Sequence, residues 1–547
     1  MDNIRNLVLQ NAVKFNGKAN PGAVIGHIIS NDPKAKSKIQ EIAKEVNEII
    51  KEVNKLSLED QKKELEKNAP DLLKEKKHEK KEGLKELPNA KNVIMRFEPS
   101  PSGPLHIGHA YVLSLNSEYC KKYKGKLILR LGDTNPDNIY EPAYDLIPED
   151  AEWLTKNNVS KVLIQSDRLK IYYKYFEKLL ELEKAYICTC DPDEYKELIT
   201  KSIACPCREI KDQKERWEKM FKGYKQGEAV ARIKTDLNNN NPAMRDFPVF
   251  RINDTKHPKQ GTKYRVWPLM NMAVAVDDTE SKVTHVIRAK EHADNAKRQE
   301  IIHNYLDEKT PEALFVGRIN FEGMPVSCSI TKEEIAKGTY KDWDDIRLPF
   351  LLALRRRGFQ PEAFIKYAIE VGVSLTDKTV SKDDFFKSIN AFNREVIDKS
   401  SDRYFFIANP KKIKIEGAPS KEIKIELYPE DKKRGYRTFK TSDEFYIQDK
   451  LEKKNYRLMH LLNFNQNKFI SEKIDDSLRA PMIHWLPVSE DLVEVEVLMD
   501  DDTVVKGLGE SELKKVKKGD IVQFERNFFA RLDSIEGKVY KFWYTHK

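Results

Sequence analysis

Apolar side chains recur every three or four positions over residues 39–53, which matches one face of an α-helix. A further helix is predicted to begin after Ser57, because Ser57 and Asp60 have the spacing of a capping box. Residues 74–86 are mostly Lys and Glu, a composition typical of a solvated helix end or a linker. Together these patterns predict a helical domain over residues 1–90.

A strand–helix–strand pattern follows the charged run. An apolar run at 93–97 precedes a helix-like segment and a second apolar run at 127–131. This order predicts two parallel strands joined by a helix that covers their sheet. The apolar runs at 273–276 and 283–288 are interpreted as later strands of the same α/β domain. The segment that carries most of the cysteines lies between these two pairs of runs and is therefore predicted to be an insertion.

The C-terminal part of the chain has a different pattern. Residues 333–402 return to helical periodicity, whereas short segments separated by charged turns follow from residue 403. Val493, Val495 and Val497 alternate with glutamates, which predicts a half-buried strand. Many such strands are typical of a barrel or a pair of barrels. The predicted domains are 1–90, the α/β halves 91–187 and 251–332, the insertion 188–250, the helical region 333–402 and the barrel region 403–547.

Length and composition narrow the class of protein. The 547 residues carry a formal net charge of +9 and 34% of them are charged, which suits a soluble protein with an anionic partner. No stretch approaches the roughly 18 apolar residues of a membrane span, and the first residues lack the apolar core of a secretory signal. We therefore expect a cytoplasmic protein without a membrane partner. Six cysteines in a chain of this length do not indicate a disulfide framework.

Four of the cysteines form two Cys-X-Cys pairs separated by fourteen residues, namely Cys188, Cys190, Cys205 and Cys207. Four thiolates can close a tetrahedral zinc site that stabilises a small segment lacking its own core. Such a site would be structural, because it leaves no position open for a substrate. Four thiols that cluster without a metal are the alternative. The spacing favours structural Zn²⁺.

The segment 96–109 combines a strand end, three prolines, two glycines and the start of a helix. A helix N-terminus presents free N–H groups and the positive end of the helix dipole, which suits an anion. His106 and His109 fall on one face of the first turn, and Gly108 allows a phosphate or an adenine ring to approach the backbone. The alternative is a loop rich in Pro and Gly that carries two surface histidines.

Charged residues also follow two predicted strands. Arg130 and Asp133 lie at the end of the run at 127–131, and ligands bind beyond the carboxyl ends of strands in open parallel sheets. Arg288 ends the run at 283–288 and could clamp a carboxylate through two hydrogen bonds. A simple turn at Asp133 and a surface ion pair at Arg288 are the alternatives.

Taken in this order, the motifs resemble those of archaeal-type glutamyl-tRNA synthetases. These enzymes are class I aminoacyl-tRNA synthetases of the glutamyl and glutaminyl group. The four residues from His106 to His109 resemble the HIGH signature of class I. Further matching segments run along the whole chain: 17–24, 133–136, 244–246, the four clustered cysteines, 355–358 and 457–459. The resemblance implies a multidomain α/β protein. Its parts would be a Rossmann-like catalytic domain with a zinc-bearing insertion, helical N-terminal and stem-contact regions, and a C-terminal β-barrel region that binds the anticodon.

The resemblance also implies an activity. The family activates L-glutamate with ATP and Mg²⁺ to glutamyl-adenylate and transfers the acyl group to the 3′ end of tRNA-Glu, with tRNA-Gln left open as a second substrate. The implied catalytic residues are His106 and His109. The implied ATP-binding residues are Gly108, Ser327, Cys328 and Ser329. The implied substrate-binding residues are Arg96, Glu98, Ser100, Asp133 and Arg288. Because a buried arginine without an anion is costly, Arg288 favours glutamate over glutamine.

Two segments depart from the family pattern. The second class I signature, KMSKS, corresponds to residues 326–330, which contain no lysine. A missing cation removes stabilisation of the transition state, and Lys332 could replace it if the loop reshapes. Met270 stands where many relatives have a tyrosine in the amino-acid pocket, so the pocket loses a hydroxyl and gains a flexible apolar wall.

The resemblance gives each domain a role with tRNA. The insertion is expected to hold the acceptor end, the region 333–402 the inner stem, and the barrels the anticodon. Arg457 and the segment from Arg434 to Arg437 are candidate contacts, with solvated surface charges as the alternative. We expect a monomer. A glutaminyl-tRNA synthetase and a tRNA-binding paralogue with little or no catalysis are the competing hypotheses.

Overall fold

The computed structural model describes residues 2–15, 17–31, 39–69, 72, 84–448, 450–452 and 454–547. The chain divides into two compact units, Met1–Glu82 and Gly83–Lys547. Most of the predicted linker at 74–86 lies outside the described residues. Within the described part of the chain, no helix is both long and apolar enough to span a membrane.

The first unit is helical. Its described helices are α1 (Asp2–Lys14), α2 (Pro21–Asn31), α3 (Ile39–Val53) and α4 (Leu58–Asn68). The predicted stripe on α3 is confirmed, since Val46, Ile50 and Val53 are buried in the core of this unit. The predicted helix start is confirmed as well, because the Ser57 hydroxyl accepts the Asp60 N–H at 3.1 Å.

The second unit begins with a parallel five-stranded sheet in the order β3-β2-β1-β8-β9. Its strands are β1 (Ile94–Phe97), β2 (Lys126–Leu131), β3 (Val159–Ile164), β8 (His285–Ala289) and β9 (Glu312–Val316). The helices that accompany it are α5 (Ile107–Lys122), α6 (Ala143–Thr155), α7 (Leu169–Glu181), α10 (Met270–Glu280) and α11 (Ala293–Leu306). The predicted β-α-β unit is therefore confirmed as β1-α5-β2. Strands β1 and β8 are neighbours, so the segments that follow them meet at one edge of the sheet.

The strand predicted at 273–276 is wrong, because these residues lie inside α10. This helix is buried on nearly all sides, including Met272, Val274 and Val276. A helix without a solvent-facing side shows no polar periodicity, so a short apolar run within it cannot be told from a buried strand. The strand predicted at 283–288 is confirmed as β8.

An antiparallel sheet interrupts the parallel sheet between β3 and β8. It has the order β4-β5-β6-β7. Its elements are β4 (Ala185–Cys188), α8 (Pro192–Thr200), α9 (Gln213–Lys222), β5 (Val230–Ile233), β6 (Pro248–Ile252) and β7 (Val266–Pro268). The clustered cysteines lie at the end of β4 and after α8, and Tyr195 and Ile199 of α8 pack beside them.

Helices dominate the segment after β9, as predicted. They are α12 (Cys328–Ala336), α13 (Leu351–Arg357), α14 (Pro361–Val371) and α15 (Lys382–Ile397). A parallel pair of short strands, β10 (Ile319–Glu322) and β11 (Lys378–Ser381), joins the residues before α12 to those before α15. Helix α14 packs on α5, so the helical segment supports the helix that carries the two histidines.

The C-terminal region is rich in β-strands and has two apolar cores. Its strands are β12 (Arg403–Tyr404), β13 (Phe406–Ala408), β14 (Lys411–Lys414), β15 (Glu422–Glu426), β16 (Tyr436–Lys440), β17 (Glu444–Ile447), β18 (Asn455–Leu458), β19 (Leu462–Asn465), β20 (Lys468–Ser471), β21 (Met482–Ile483), β22 (Leu486–Pro487), β23 (Val493–Leu498), β24 (Val504–Gly509), β25 (Ile521–Phe524), β26 (Phe528–Glu536) and β27 (Val539–His546).

One seven-stranded sheet of this region forms a nearly closed barrel. Its edge strands are β12 and β13, which are separated in the chain by Phe405 alone. The two edges of the sheet therefore meet almost at one point. The half-buried strand predicted from the valines is confirmed, since Val493, Val495 and Val497 of β23 are buried.

Candidate active site beside the parallel sheet

The N-terminus of α5 is built around two stacked histidines. The His106 Nδ1 accepts the Gly108 N–H at 3.1 Å, and the His109 Nδ1 accepts the His106 N–H at 3.4 Å. The two rings are stacked with their centroids 3.8 Å apart. A Cβ at position 108 would lie 3.0 Å from Cε1 of His106, so glycine leaves room for the ring to fold back over the helix.

This hydrogen bonding defines what the histidines can offer a ligand. Because Nδ1 accepts in both rings, a neutral ring carries its proton on Nε2. Burial lowers the pKa of His109 to about 4, and burial together with His109 lowers the pKa of His106 well below its usual value. In the free protein both rings are therefore neutral at pH 7 and can donate hydrogen bonds to an anion. The positive end of the helix dipole adds to this.

Residues 327–329, which are predicted to bind ATP, pack against the loop that precedes α5. A Cβ at Gly103 would lie 3.0 Å from both the Cys328 Sγ and the Trp343 Cη2. The Cys328 thiol also points to the Pro104 carbonyl at 3.8 Å. Ser327 is the N-cap residue of α12, while Ser329 is exposed. The structure thus brings residues 327–329 beside the loop that leads to the histidines.

A buried network of charges lies under the carboxyl ends of β1 and β2. The Arg130 guanidinium, fully buried, lies 3.0 Å from Glu98 and 2.8 Å from Asp278. The Arg96 Nε lies 3.0 Å from Asp278. Burial opposes ionisation of Asp278, but the two guanidinium groups hold the pKa of its carboxyl at about 2. Each of these two arginines is therefore paired with a carboxylate.

The neighbouring Asp277 belongs to the same network. Its carboxylate accepts hydrogen bonds from Arg168 at 2.6 Å, Tyr172 at 2.8 Å and Gln165 at 3.2 Å. The Asp277–Asp278 pair has no predicted role, although two acidic residues directly after a buried apolar run are a recognisable signal. A strand over residues 273–276 assigns no role to this acidic pair, which ends the buried part of α10.

A cavity of about 210 Å³ opens above this network. It is lined by residues of β1, α10, β8 and α11 and of the segments that follow the two strands: Arg96, Phe97, Glu98, Met270, Val274, Ile287, Arg288, Ala289, His292, Asn295 and Gln299. Three of the predicted substrate-binding residues, Arg96, Glu98 and Arg288, therefore share one cavity. Met270 lines it too.

Arg288 differs from the other arginines at this site. Its guanidinium donates to the Gln299 side-chain carbonyl at 3.0 Å, and its buried Nε has no hydrogen-bond partner among the described residues. Within the same set of residues, no carboxylate lies within 4.0 Å of it. Burial, with repulsion from Arg96, lowers the pKa of Arg288 to about 10. The side chain is still charged at pH 7, and its charge has no paired anion.

Two predicted substrate-binding residues do not join the cavity. Ser100 is exposed on the loop after β1. Asp133 is buried, and its carboxylate accepts the Tyr144 hydroxyl at 2.6 Å and the Ser166 N–H at 2.8 Å, with His257 3.4 Å away. Its oxygens already have internal partners that hold the end of β2 in place, and the assignment of Asp133 to substrate stays a prediction.

The four clustered cysteines have the geometry of a metal site. Their sulfur atoms all lie within 4.8 Å of one another, with Cys188 3.5 Å and Cys190 3.3 Å from Cys205, and Cys190 3.8 Å from Cys207. Zn–S bonds of ~2.3 Å in a tetrahedron place the sulfurs ~3.8 Å apart, so the cluster fits zinc. Arg216 donates to the Cys207 sulfur at 3.5 Å, which favours the thiolate.

Two of the candidate anticodon contacts are buried arginines with internal partners. Arg437 is buried between Glu510, at 2.9 Å, and Glu525. Arg457 is buried and donates to the Asn463 side chain at 3.1 Å and to backbone carbonyls. The Arg437 guanidinium is enclosed by two glutamates, so its prediction is corrected, whereas the role of Arg457, which donates through Nη1, stays a prediction. Buried arginines that satisfy carbonyls and carboxylates look the same in sequence as exposed ones.

Three family descriptions match the chain. "tRNA synthetases class I (E and Q), catalytic domain" covers residues 92–399. "tRNA synthetases class I (E and Q), anti-codon binding domain" covers 401–482 and, as a second such domain, 482–533. The matches therefore extend from the parallel sheet to the last barrel.

Curated relatives match over almost the whole length. A glutamate–tRNA ligase of Methanocaldococcus jannaschii is 44% identical over 561 residues, covering 99% of each chain. One of Methanococcus maripaludis strain C6 is 42% identical over 561 residues, covering 100% of each chain. One of Methanothermobacter thermautotrophicus is 42% identical over 558 residues, covering 100% of this chain and 99% of the relative. The similarity thus includes the N-terminal helical unit, which the three family descriptions leave out.

Proposed function

The chain belongs to the class I tRNA synthetases for glutamate and glutamine, and we propose that it is a glutamate–tRNA ligase. It activates L-glutamate with ATP and transfers the resulting acyl group to the 3′ end of tRNA-Glu. The observation that carries the choice of glutamate is Arg288, a charged side chain in the cavity without a paired carboxylate. The similar relatives, each named a glutamate–tRNA ligase, support the same choice.

The preference for glutamate follows from the charge of its side chain. A carboxylate in the cavity would pair with Arg288 and recover the cost of burying that guanidinium. The amide of glutamine would leave the charge unpaired, and sites built around a specific polar partner reject analogues that lack it. Arg96 and Glu98 face the same cavity and would orient the rest of the amino acid.

Activation joins the glutamate α-carboxylate to the ATP α-phosphate. A carboxylate oxygen attacks phosphorus, the bond to the bridging oxygen breaks, and pyrophosphate leaves with its electrons. His106 and His109 donate Nε2–H groups to phosphate oxygens, and the N-terminus of α5 stabilises the developing negative charge. Gly108 and residues 327–329 would line the nucleotide side of the site. Mg²⁺ bound with ATP would supply positive charge to the phosphates, as is general for such transfers.

The segment 326–330 supplies no lysine to the phosphates. Lys332, in α12, is exposed and makes no ion pair among the described residues. We propose that Lys332 supplies the positive charge that the segment 326–330 lacks. Movement of α12 towards ATP would bring this amine and the first N–H groups of the helix to the phosphates.

The cysteine cluster is proposed to hold one structural Zn²⁺. Four thiolates would fill a tetrahedral shell and fix the end of β4 to the turn after α8. The metal would take no part in the reaction. The antiparallel sheet that carries it is proposed to hold the acceptor end of tRNA, the helices of 333–402 the inner stem, and the C-terminal barrels the anticodon. The protein is proposed to act as a cytoplasmic monomer.

ATP–pyrophosphate exchange tests the proposal, with tRNA present because the family often requires it. Purified protein should catalyse exchange with glutamate and at most weakly with glutamine. Exchange with glutamine but not with glutamate would identify a glutaminyl enzyme. A protein that binds tRNA but supports exchange with neither amino acid would be a paralogue without catalysis, and this result would contradict the proposal.

A further inference from the structure

The arginines around the cavity divide into two kinds by the charge of their partners. Arg96 and Arg130 both pair with the carboxylate of Asp278 at 3.0 Å or less. Arg288 has instead a neutral hydrogen-bond partner, the side-chain amide of Gln299, which is 4% exposed. A neutral acceptor can fix the direction of a guanidinium without cancelling its charge.

The orientation of the Gln299 amide is itself determined by a relay of amides. The Gln299 Nε2 donates to the Asn271 Oδ1 at 3.2 Å, and the Asn271 Nδ2 donates to the Asn295 Oδ1 at 3.3 Å. Arg298 donates to that same oxygen at 2.9 Å. The relay thus begins at Arg288 and ends at Arg298.

Both ends of the relay are guanidinium groups, which donate hydrogen bonds and cannot accept them. Each amide between them therefore has a single orientation that satisfies its neighbours. If the Gln299 amide flipped, its NH₂ group would face Arg288 and its oxygen would face the Asn271 oxygen. The relay fixes the Gln299 carbonyl towards Arg288, and its two amides nearest Arg288 are buried, with Gln299 4% and Asn271 8% exposed.

We propose that Gln299 is a positioning residue that determines specificity for glutamate. It holds the Arg288 guanidinium in the direction of the cavity through a neutral acceptor, and it leaves the positive charge free to pair with the substrate's side-chain carboxylate. This inference rests on the proposed function, because it concerns how the same site selects its amino acid.

The identity of residue 299 then decides which amino acid the cavity accepts. A glutamate at this position would pair with Arg288 in the free protein and compete with the substrate carboxylate. Its second oxygen would also face the Asn271 oxygen. The Asn271 and Asn295 amides would then have to flip, which would turn the Asn295 NH₂ group towards Arg298. A methionine would keep the volume of the side chain but would remove the acceptor that directs the guanidinium.

The experiment compares Gln299→Glu, Gln299→Met and Lys297→Gln with the wild type. KM and kcat are measured for glutamate, glutamine and ATP by pyrophosphate exchange with tRNA present. Lys297→Gln is the control for charge, since it makes the same change of −1 at an exposed position of α11. It should leave all constants within about twofold.

Gln299→Glu should raise KM for glutamate by about tenfold or more, equivalent to ~1.4 kcal/mol of binding, with KM for ATP unchanged. The ratio of kcat/KM for glutamine to that for glutamate should rise. Gln299→Met should raise KM for glutamate by a smaller factor. If Gln299→Glu does not fold, Asn271→Ala, which frees the Gln299 amide to flip, should also raise KM for glutamate selectively.

Three outcomes are distinguishable. Selective loss of glutamate affinity supports the inference. Unchanged KM for glutamate in both Gln299 variants, or an equal fall of kcat for both amino acids, overturns it and leaves Gln299 a purely structural residue. Absence of exchange in the wild type with either amino acid would instead contradict the proposed function.

Discussion

Replacing Arg288 by leucine separates the contribution of this side chain to binding from its contribution to folding. In the free protein its guanidinium has an amide partner and no carboxylate, so the substitution removes a charge that the fold itself does not use. Arg130 offers a matched comparison beside the same cavity. It is buried between Glu98 and Asp278, so Arg130→Met would remove one of the two cations that these carboxylates share and leave them only Arg96.

The structure gives the expected size of both effects. Losing the partner of a buried carboxylate costs ~2–5 kcal/mol, so kcat/KM for glutamate should fall by about 30-fold to several thousand-fold in Arg288→Leu. The pKa of Arg288, lowered to about 10, shows that its charge is unfavourable in the free protein. With partial solvent screening, removing that charge raises the free energy of unfolding by ~1–2 kcal/mol. This gain offsets the ~1–3 kcal/mol that the unpaired Gln299 oxygen costs.

Thermal unfolding and pyrophosphate exchange together provide the assay. Arg288→Leu should melt within a few degrees of the wild type while losing glutamate activation. Arg130→Met should be destabilised by ~3–5 kcal/mol, as expected when one partner of a buried ion pair is removed. The reasoning would be refuted if Arg288→Leu were destabilised as strongly as Arg130→Met, or if it activated glutamate as well as the wild type.

Four further predictions concern other parts of the molecule. Cys205→Ser should release about one zinc per chain, measured by atomic emission, and should increase proteolysis of the antiparallel sheet; full metal content in the variant would contradict this. Since the pKa of His109 is lowered to about 4, the unfolded chain takes up the proton first as the pH falls below 6.5; stability should fall by ~1–2 kcal/mol from pH 7 to 5, and His109→Asn should remove this part of the pH dependence in thermal melts. Lys332→Ala should lower the rate of glutamate activation by about tenfold with KM for glutamate unchanged, and an unchanged rate would rule out its role. Arg437→Met should destabilise the C-terminal region by ~3–5 kcal/mol in urea unfolding, because Glu510 and Glu525 lose a shared cation; a loss below ~1 kcal/mol would contradict this.

Much of the fold follows from local patterns in the sequence. The stripe on α3, the capping of α4 by Ser57, the β1-α5-β2 unit and the alternation in β23 each depend on the contrast between a buried and a solvated side. Helix α10 lacks that contrast because it is buried on nearly all sides, and its apolar run was therefore interpreted as a strand. Periodicity cannot reveal an element that has no exposed face.

The candidate site was only partly predictable for a related reason. Arg96, Glu98 and Arg288 end neighbouring strands, so topology alone brings them together at one edge of the sheet. Asp133 also follows the end of a strand, but its carboxylate already accepts hydrogen bonds from within the fold. The partners of a polar side chain depend on tertiary packing, which one sequence does not display.

The same limit applies to the arginines. Arg288 and Arg437 each have both apolar and charged residues among their near neighbours in the sequence. These neighbours do not show which arginine has a carboxylate partner. In the structure one has a neutral partner and the other is enclosed by two glutamates. That difference, rather than the presence of arginine, separates a residue that can bind substrate from one that ties β16 to the residues after β24 and β25.

Competitive aminoacylation tests the central claim most directly. Purified protein is incubated with ATP, tRNA-Glu and equal concentrations of glutamate and glutamine, and the amino acid esterified to the tRNA is identified; a parallel reaction contains tRNA-Gln. The unpaired charge of Arg288 predicts that glutamate is attached at least a thousandfold faster than glutamine, as expected when the competitor leaves a buried polar group unpaired. Attachment of glutamine at a comparable rate would contradict the account.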